Sequence, residues 1–183
     1  MSPLLSIPLE MGSIDDSITS GGLALSLVNG SLESGPDLVR WLGTAPGLGP
    51  GEIEEVALRL REFRSLRAAT RAVLEASANG TAFPVDAVAH LNELSGRIPR
   101  TLVLDPPLAR DEPASANATT RTLARVAWST IWLVGGSDRD RLRRCGSCGN
   151  LFVATRSDRR WCSVACGNRV RVARHHARRR AAG

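Results

Sequence analysis

The chain has 183 residues, enough for one main body with a hydrophobic core and a small accessory module, and too few for two large domains. Aromatic residues make up only 4 %, so the core must be built mostly from Leu, Val, Ala and Ile, which favours helices over an aromatic-rich sandwich. All 24 basic residues are arginine, and they are unevenly placed: residues 138–183 hold 13 Arg against 3 Asp, net +10, while residues 1–137 hold 11 Arg against 15 acids, net −4.

The positive field therefore belongs to the C-terminal segment. It suggests a polyanionic partner, with nucleic acid ahead of an anionic membrane surface; a solvated tail that aids solubility is the plainer alternative. The N-terminal MSPLLSIPLEMGSIDDS lacks a basic n-region and a small-residue cleavage site, so it does not read as a signal peptide. The longest apolar stretch, 126–134, is too short to span a bilayer. These features predict a cytoplasmic protein with no membrane partner, whose thiols stay reduced and available to metal.

Residues 1–19 carry little pattern and are expected to form a loose arm. GLALSLVNG alternates Leu23, Leu25 and Leu27 as a strand does, yet its Leu, Ala and Ser also suit a helix. Pro36 in a first-turn position, followed by Leu38, Val39, Trp41 and Leu42 and closed by Gly43, predicts a short helix. TAPGLGPG is loop. The spacing of Ile53, Val56, Leu60, Phe63, Leu66, Val73 and Leu74 predicts one long helix from Glu52 to about Ala78, with acids 52, 54 and 55 at the positive end of its dipole.

A further helix is expected from Pro84 to Gly96, with Val85, Val88, Leu91 and Leu94 inward. TLVLD, 101–105, is short and β-prone, and a partner strand is expected within the Pro-rich connection that follows. The next helix starts from a Thr119 or Thr120 cap and runs through Leu123, Val126, Ala127, Ile131 and Val134 to Gly135-Gly136, the expected domain boundary. Trp128 and Trp132 on this helix, and His90 on the one before, are expected to serve packing. Residues 1–137 contain no Cys, one His, and no Ser-nucleophile or phosphate-loop motif, so no enzymatic site is expected there.

Every cysteine lies in C-x2-C-x13-C-x3-C: Cys145, Cys148, Cys162 and Cys166. Two close thiolate pairs can surround one Zn²⁺ tetrahedrally, and a closed set of four protein ligands marks a structural zinc rather than a catalytic one. Two disulfides would need an oxidising compartment, and a redox C-x-x-C would stand without a second pair nearby. Gly146 and Gly149 let the first pair turn as a knuckle. LFV and RRW flank the polar ATRSD and predict a hairpin. Cys162 and Cys166 then stand one helical turn apart, at the start of a helix from Gly167 to about Arg180. Knuckle, hairpin and helix in that order form a treble-clef arrangement.

On that last helix Arg171, Arg174, His175 and Arg178 fall near one face, and Arg169, Arg179 and Arg180 widen it. A metal-anchored helix lined with guanidiniums suits phosphate contacts and bidentate contacts with guanine in the major groove. The module lacks the acidic partners that a nuclease would need.

RRWCS, Cys166-Gly167-Asn168-Arg169 and the arginine-rich helix resemble the CGNR zinc-finger proteins of bacteria. Upstream, LALSLVN, DLVRWL, the long helix and TLVLD are similar to the ABATE domain that precedes the finger in that family. The resemblance implies a stress-linked bacterial transcription regulator. Residues 20–136 would form a mainly helical domain that senses a small-molecule effector. Residues 137–183 would form the finger that binds double-stranded DNA, with the four cysteines as ligands of one structural Zn²⁺. The overall expectation is a mainly α, α+β protein: a helical body with a small β element, followed by the treble-clef-like finger. Such a regulator would act in the cytoplasm and associate with the nucleoid when bound. A zinc-stapled protein- or RNA-interaction module is the alternative. Three departures stand out: the second pair is C-x3-C where the family has C-x4-C, the first pair is also tight, and Asn29 is followed by Gly where the family has Thr.

Overall fold

The computed structural model describes residues 20–45, 47–105, 108–113 and 116–181; the arm expected over 1–19 lies outside them. Among these residues the order is α1 (Gly22–Asn29), α2 (Gly35–Leu42), α3 (Pro50–Ala57), α4 (Leu60–Asn79), α5 (Val85–Gly96), β1 (Arg100–Asp105), β2 (Leu108–Pro113), α6 (Ala118–Gly135), a short 3-10 turn (Arg139–Arg141), β3 (Leu142–Arg144), β4 (Leu151–Val153) and α7 (Val164–Ala181). The architecture is the mainly helical α+β one that the sequence predicts. No helix among the described residues is long and apolar enough to cross a membrane.

GLALSLVNG is helical. Leu23 and Leu27, and Ala24 and Val28, lie one turn apart, and all four are buried on one face. The helix α2 has both ends marked as expected: the Ser34 hydroxyl accepts from the Asp37 amide, the Asp37 carboxylate accepts from the Ser34 amide, and Pro36 sits in the first turn.

The single helix expected from Glu52 to Ala78 is two. The amides of Leu58 and Arg59 donate to the carbonyls of Glu55 and Val56, three residues back, which tightens the chain and ends α3. The break serves different neighbours: α3 packs against α2 and α6, whereas α4 packs against α1, α5 and α6. One straight helix cannot meet both sets. Periodicity reports which residues face inward, and it is blind to this change of direction.

Residues 101–105 form a strand, and the Pro-rich connection supplies its antiparallel partner, in a register from Arg100↔Pro113 to Asp105↔Leu108. The cap of α6 is Asn117, not Thr119 or Thr120, because the Asn117 side chain accepts from the Thr120 amide at 2.8 Å. Thr119 is buried instead.

The main core lies between α2, α4, α5 and α6. It is centred on Phe63, Leu66, Val73, Leu91, Leu94, Leu123 and Val126, with the Trp41 ring 5.9 Å from that of Phe63. Buried hydroxyls find partners: Thr130 donates to the Val126 carbonyl at 2.9 Å, and the Ser129 hydroxyl accepts the first-turn amide of Ala24 at 3.2 Å. Trp128 is half-buried and donates to the Ser95 carbonyl at 3.1 Å. Trp132 and Val85 depart from the expected packing and are exposed, because each stands just outside the stripe its helix turns inward.

A second core joins the two halves of the chain. Ala24, Val28, Leu74 and Leu133 of the body enclose Leu142 and Leu151 of the C-terminal segment. After Gly136 the chain turns back through the 3-10 turn and docks. The expected boundary is thus a turn between packed parts.

Candidate metal centre and nucleic-acid interface

The C-terminal module begins with a hairpin whose turn is the first cysteine pair. β3 and β4 pair antiparallel, with Leu142 opposite Val153 and Arg144 opposite Leu151. The Cys145 amide donates to the Asn150 carbonyl at 2.8 Å and the Gly149 amide to the Cys145 carbonyl at 2.9 Å. Gly149 takes φ +78°, a left-handed turn that favours glycine. LFV is a strand as expected, but its partner is Leu142–Arg144, not RRW. The reason is burial: Leu142 and Leu151 share the second core, while Arg160 points to solvent.

The segment 155–161 is an irregular loop that Arg159 holds. Its guanidinium donates to the carbonyls of Trp161 and Cys162 at 3.0 and 2.8 Å and lies over the Phe152 ring, 5.7 Å from its centroid. Trp161 is wedged between knuckle and helix. A side chain at Gly146 or Gly167 would meet the indole at 3.0 or 3.1 Å, so both glycines are needed for this close packing. Cys145, Phe152, Ala154 and Cys166 are buried beside it.

Ser163 opens α7: its hydroxyl accepts the Cys166 amide at 3.2 Å, and its carbonyl accepts the Gly167 amide. The four sulfurs converge. All lie within 4.8 Å of one another, with Cys148 and Cys162 Sγ 3.5 Å apart and Cys162 and Cys166 Sγ 3.7 Å apart. Sulfurs around a tetrahedral Zn²⁺ at about 2.3 Å stand about 3.8 Å apart, so the donor set fits this ion. The shortened C-x3-C is accommodated, since the bend at Cys162 and Ser163 and the first turn of α7 bring Cys166 Sγ to that separation.

Electrostatics favour a cation here. Burial raises the Cys145 thiol, but the amides of Cys162, Cys148 and Ser147 donate to its sulfur and bring it down to about 6. Burial, followed by the crowding sulfurs of Cys148, Cys145 and Cys166, pushes Cys162 up to about 12. The Ser163 hydroxyl leads the lowering of Cys166. One thiolate forms readily and its neighbour resists a second charge, a conflict that a divalent ion relieves. When bound, zinc supplies structural cross-linking rather than an open coordination position.

Beyond the metal centre, Cys166 is the only buried residue of α7. Arg171, Arg174, His175 and Arg178 line one groove together with Trp161 and Val170. Arg179 is exposed beside it. Arg171 donates to Asn168 Oδ1 at 2.7 Å. None of the four arginines pairs with a carboxylate among the described residues. Arg169 stands apart from the row: its guanidinium lies 3.7 Å from Cys166 Sγ, beside the metal ligands.

Asn29 ties the body to the finger. Its Nδ2 donates to the Leu151 carbonyl at 2.8 Å, and its Oδ1 accepts the Leu151 amide at 3.0 Å. The side chain thus pairs the free edge of β4 as another strand would. The signals for this tie were an amide residue closing the LALSLVN helix and a two-strand sheet with an open edge.

Residues 21–137 match the family described as "ABATE: Putative stress-induced transcription regulator", and residues 141–179 match the CGNR zinc finger. No curated protein matches the chain. With the first match covering more than half of its length, the chain belongs to the ABATE family, and its CGNR finger holds one structural zinc ion through Cys145, Cys148, Cys162 and Cys166.

Proposed function

We propose that this protein regulates transcription by binding duplex DNA through α7, under the control of an effector sensed by the helical body, in the cytoplasm and at the nucleoid. The observation that carries this reading is the solvent-facing row of Arg171, Arg174 and Arg178 with His175, unpaired with any acid among the described residues, on a helix anchored at the metal centre. A row spaced by three and four residues spans about 10 Å along the helix axis. That length suits contacts to successive phosphates as the helix lies in the major groove, which is about 12 Å wide. Phosphate contacts supply affinity, and one or two guanidiniums reach base edges.

The body–finger contacts support a control route. The metal orients α7 on the hairpin, and the hairpin is held to the body by Leu142, Leu151 and the Asn29 pair. Any shift of α1 relative to α4 would therefore move the finger. The closed set of four thiolates supports binding rather than catalysis, since no coordination position is left for a substrate.

A DNA titration at several salt concentrations tests the proposal. Affinity is expected to fall steeply with salt, and zinc-depleted protein is expected to lose it. Absence of binding at low salt sinks the proposal. A partner that is instead single-stranded RNA would compete duplex DNA away at equal concentration.

A further inference from the structure

The break between α3 and α4 lines a cleft of about 500 Å³, within the size range of small-molecule sites. Its floor is apolar, built from buried Leu94 and Leu123, and Leu58 stands at its mouth with 85 % of its surface exposed. Three guanidiniums, Arg59, Arg61 and Arg97, and one carboxylate, Glu62, surround this floor, so its charged wall is net positive. Arg97 is engaged by Glu93 at 2.8 Å and Arg59 is 3.8 Å from Glu62, but Arg61 has no hydrogen bond or ion pair among the described residues.

Ser65 and His90 complete the polar wall, with Ser65 Oγ 3.3 Å from His90 Nε2 and His90 Nδ1 3.8 Å from Glu93. A serine, a histidine and a carboxylate in line invite a nucleophile reading. Ser65, however, lies inside α4, where its own amide and the ones after it belong to the helix ladder, so no backbone donors stand ready for an oxyanion. The same groups serve well as hydrogen-bond partners for a bound anion.

We infer that this cleft binds a small amphipathic organic carboxylate, its head group on Arg61 with Ser65 and His90 beside it and its apolar body on Leu58, Leu94 and Leu123. The free guanidinium fork matches a carboxylate. The leucine floor argues against bare phosphate, which would leave it wet. The inference deepens the sensor reading above and rests on it only for the consequence of binding. Helix α4 links the two ends, lining the cleft with Arg61 and Ser65 and meeting the finger through Leu74.

The probes are sodium octanoate, octanamide and inorganic phosphate, titrated calorimetrically into the full-length, zinc-loaded protein. Octanoate is expected to bind saturably at millimolar concentration or below, and octanamide and phosphate about tenfold more weakly or worse. Arg61→Ala is expected to weaken octanoate about tenfold, and Leu58→Ser a few-fold, without lowering Tm, as both side chains are exposed. Equal binding of octanamide or phosphate, no saturation by octanoate, or an unaltered Arg61→Ala would each overturn the assignment. DNA affinity is measured in the same samples. Octanoate bound with DNA affinity unchanged keeps the cleft and removes the sensor reading; no octanoate binding beside intact, salt-dependent DNA binding removes the cleft and keeps the finger reading.

Discussion

Helices α4 and α7 carry the same arginine stripe and put it to different uses. Arg64, Arg67 and Arg71 on α4, and Arg171, Arg174 and Arg178 on α7, share the spacing i, i+3, i+7. On α4 the stripe faces the segment that follows α1. Arg64 Nε donates to the Leu32 carbonyl at 3.0 Å and Arg67 to the Gly30 carbonyl at 2.8 Å, while Arg71 donates to the Val28 carbonyl. These guanidiniums are structural ties, satisfying carbonyls left open where α1 ends. On α7 the stripe meets solvent, with one side-chain amide as its partner. Arginine at helical spacing therefore says nothing by itself about function; what lies opposite decides it.

Zinc removal breaks the comparison most sharply. Structural zinc contributes about 10–16 kcal/mol of apparent binding free energy in small fingers, so chelation or Cys162→Ser is expected to disorder α7 and abolish DNA binding while the body keeps its helices. Circular dichroism with a metal assay checks this; a finger still protected from proteolysis without metal would contradict it. Next is Arg67→Ala, which leaves the Gly30 carbonyl without its partner and is expected to cost about 1–3 kcal/mol. Denaturant titration reads that loss, and the salt slope of DNA binding should not move.

Asn29→Ala tests the join between the two regions. It removes two hydrogen bonds, each about 1 kcal/mol, and exposes the edge of β4. Hydrogen exchange at the Leu151 amide is expected to quicken while zinc content stays at one per chain. Arg171→Ala has the opposite signature to Arg67→Ala: stability within about 0.5 kcal/mol of the parent, and a salt slope smaller by about 1. If Arg171→Ala lowers stability and leaves the slope, the two stripes are not different in kind.

The smallest effect is electrostatic. The Ser34 hydroxyl, with Ser31, the Glu33 amide and Arg40, holds the Asp37 carboxyl below its ordinary range. Its contribution is present above that range and is lost as the pH falls through its lowered value. The stability difference between the parent and Asp37→Asn is therefore expected to shrink on acidification below about pH 4, as followed by Tm. A difference that is constant with pH would refute the charged role.

Much of the site was legible because it is local. Four cysteines within 22 residues leave little choice of ligand, and Ser163 marks the start of the helix that carries Cys166. The hairpin differs from the expected one for a definite reason: RRW has the look of a strand, but only Leu142 can follow Leu151 into the body's core. The helix break at Leu58 is not legible in the sequence because the apolar spacing continues through it. Asn29 was visible as a residue and invisible as a contact, since its partner lies 122 positions away.

The sequence by itself determined the metal centre, the helical class of the body and the location of the positive charge, because ligand spacing, apolar periodicity and net charge are properties of short segments. The tertiary structure decided which arginines are spent on carbonyls and which remain free, that the finger is packed on the body, and that a break in an apparently continuous helix lines a cleft. Each of these depends on groups distant in the chain meeting in space, and no local pattern encodes that meeting.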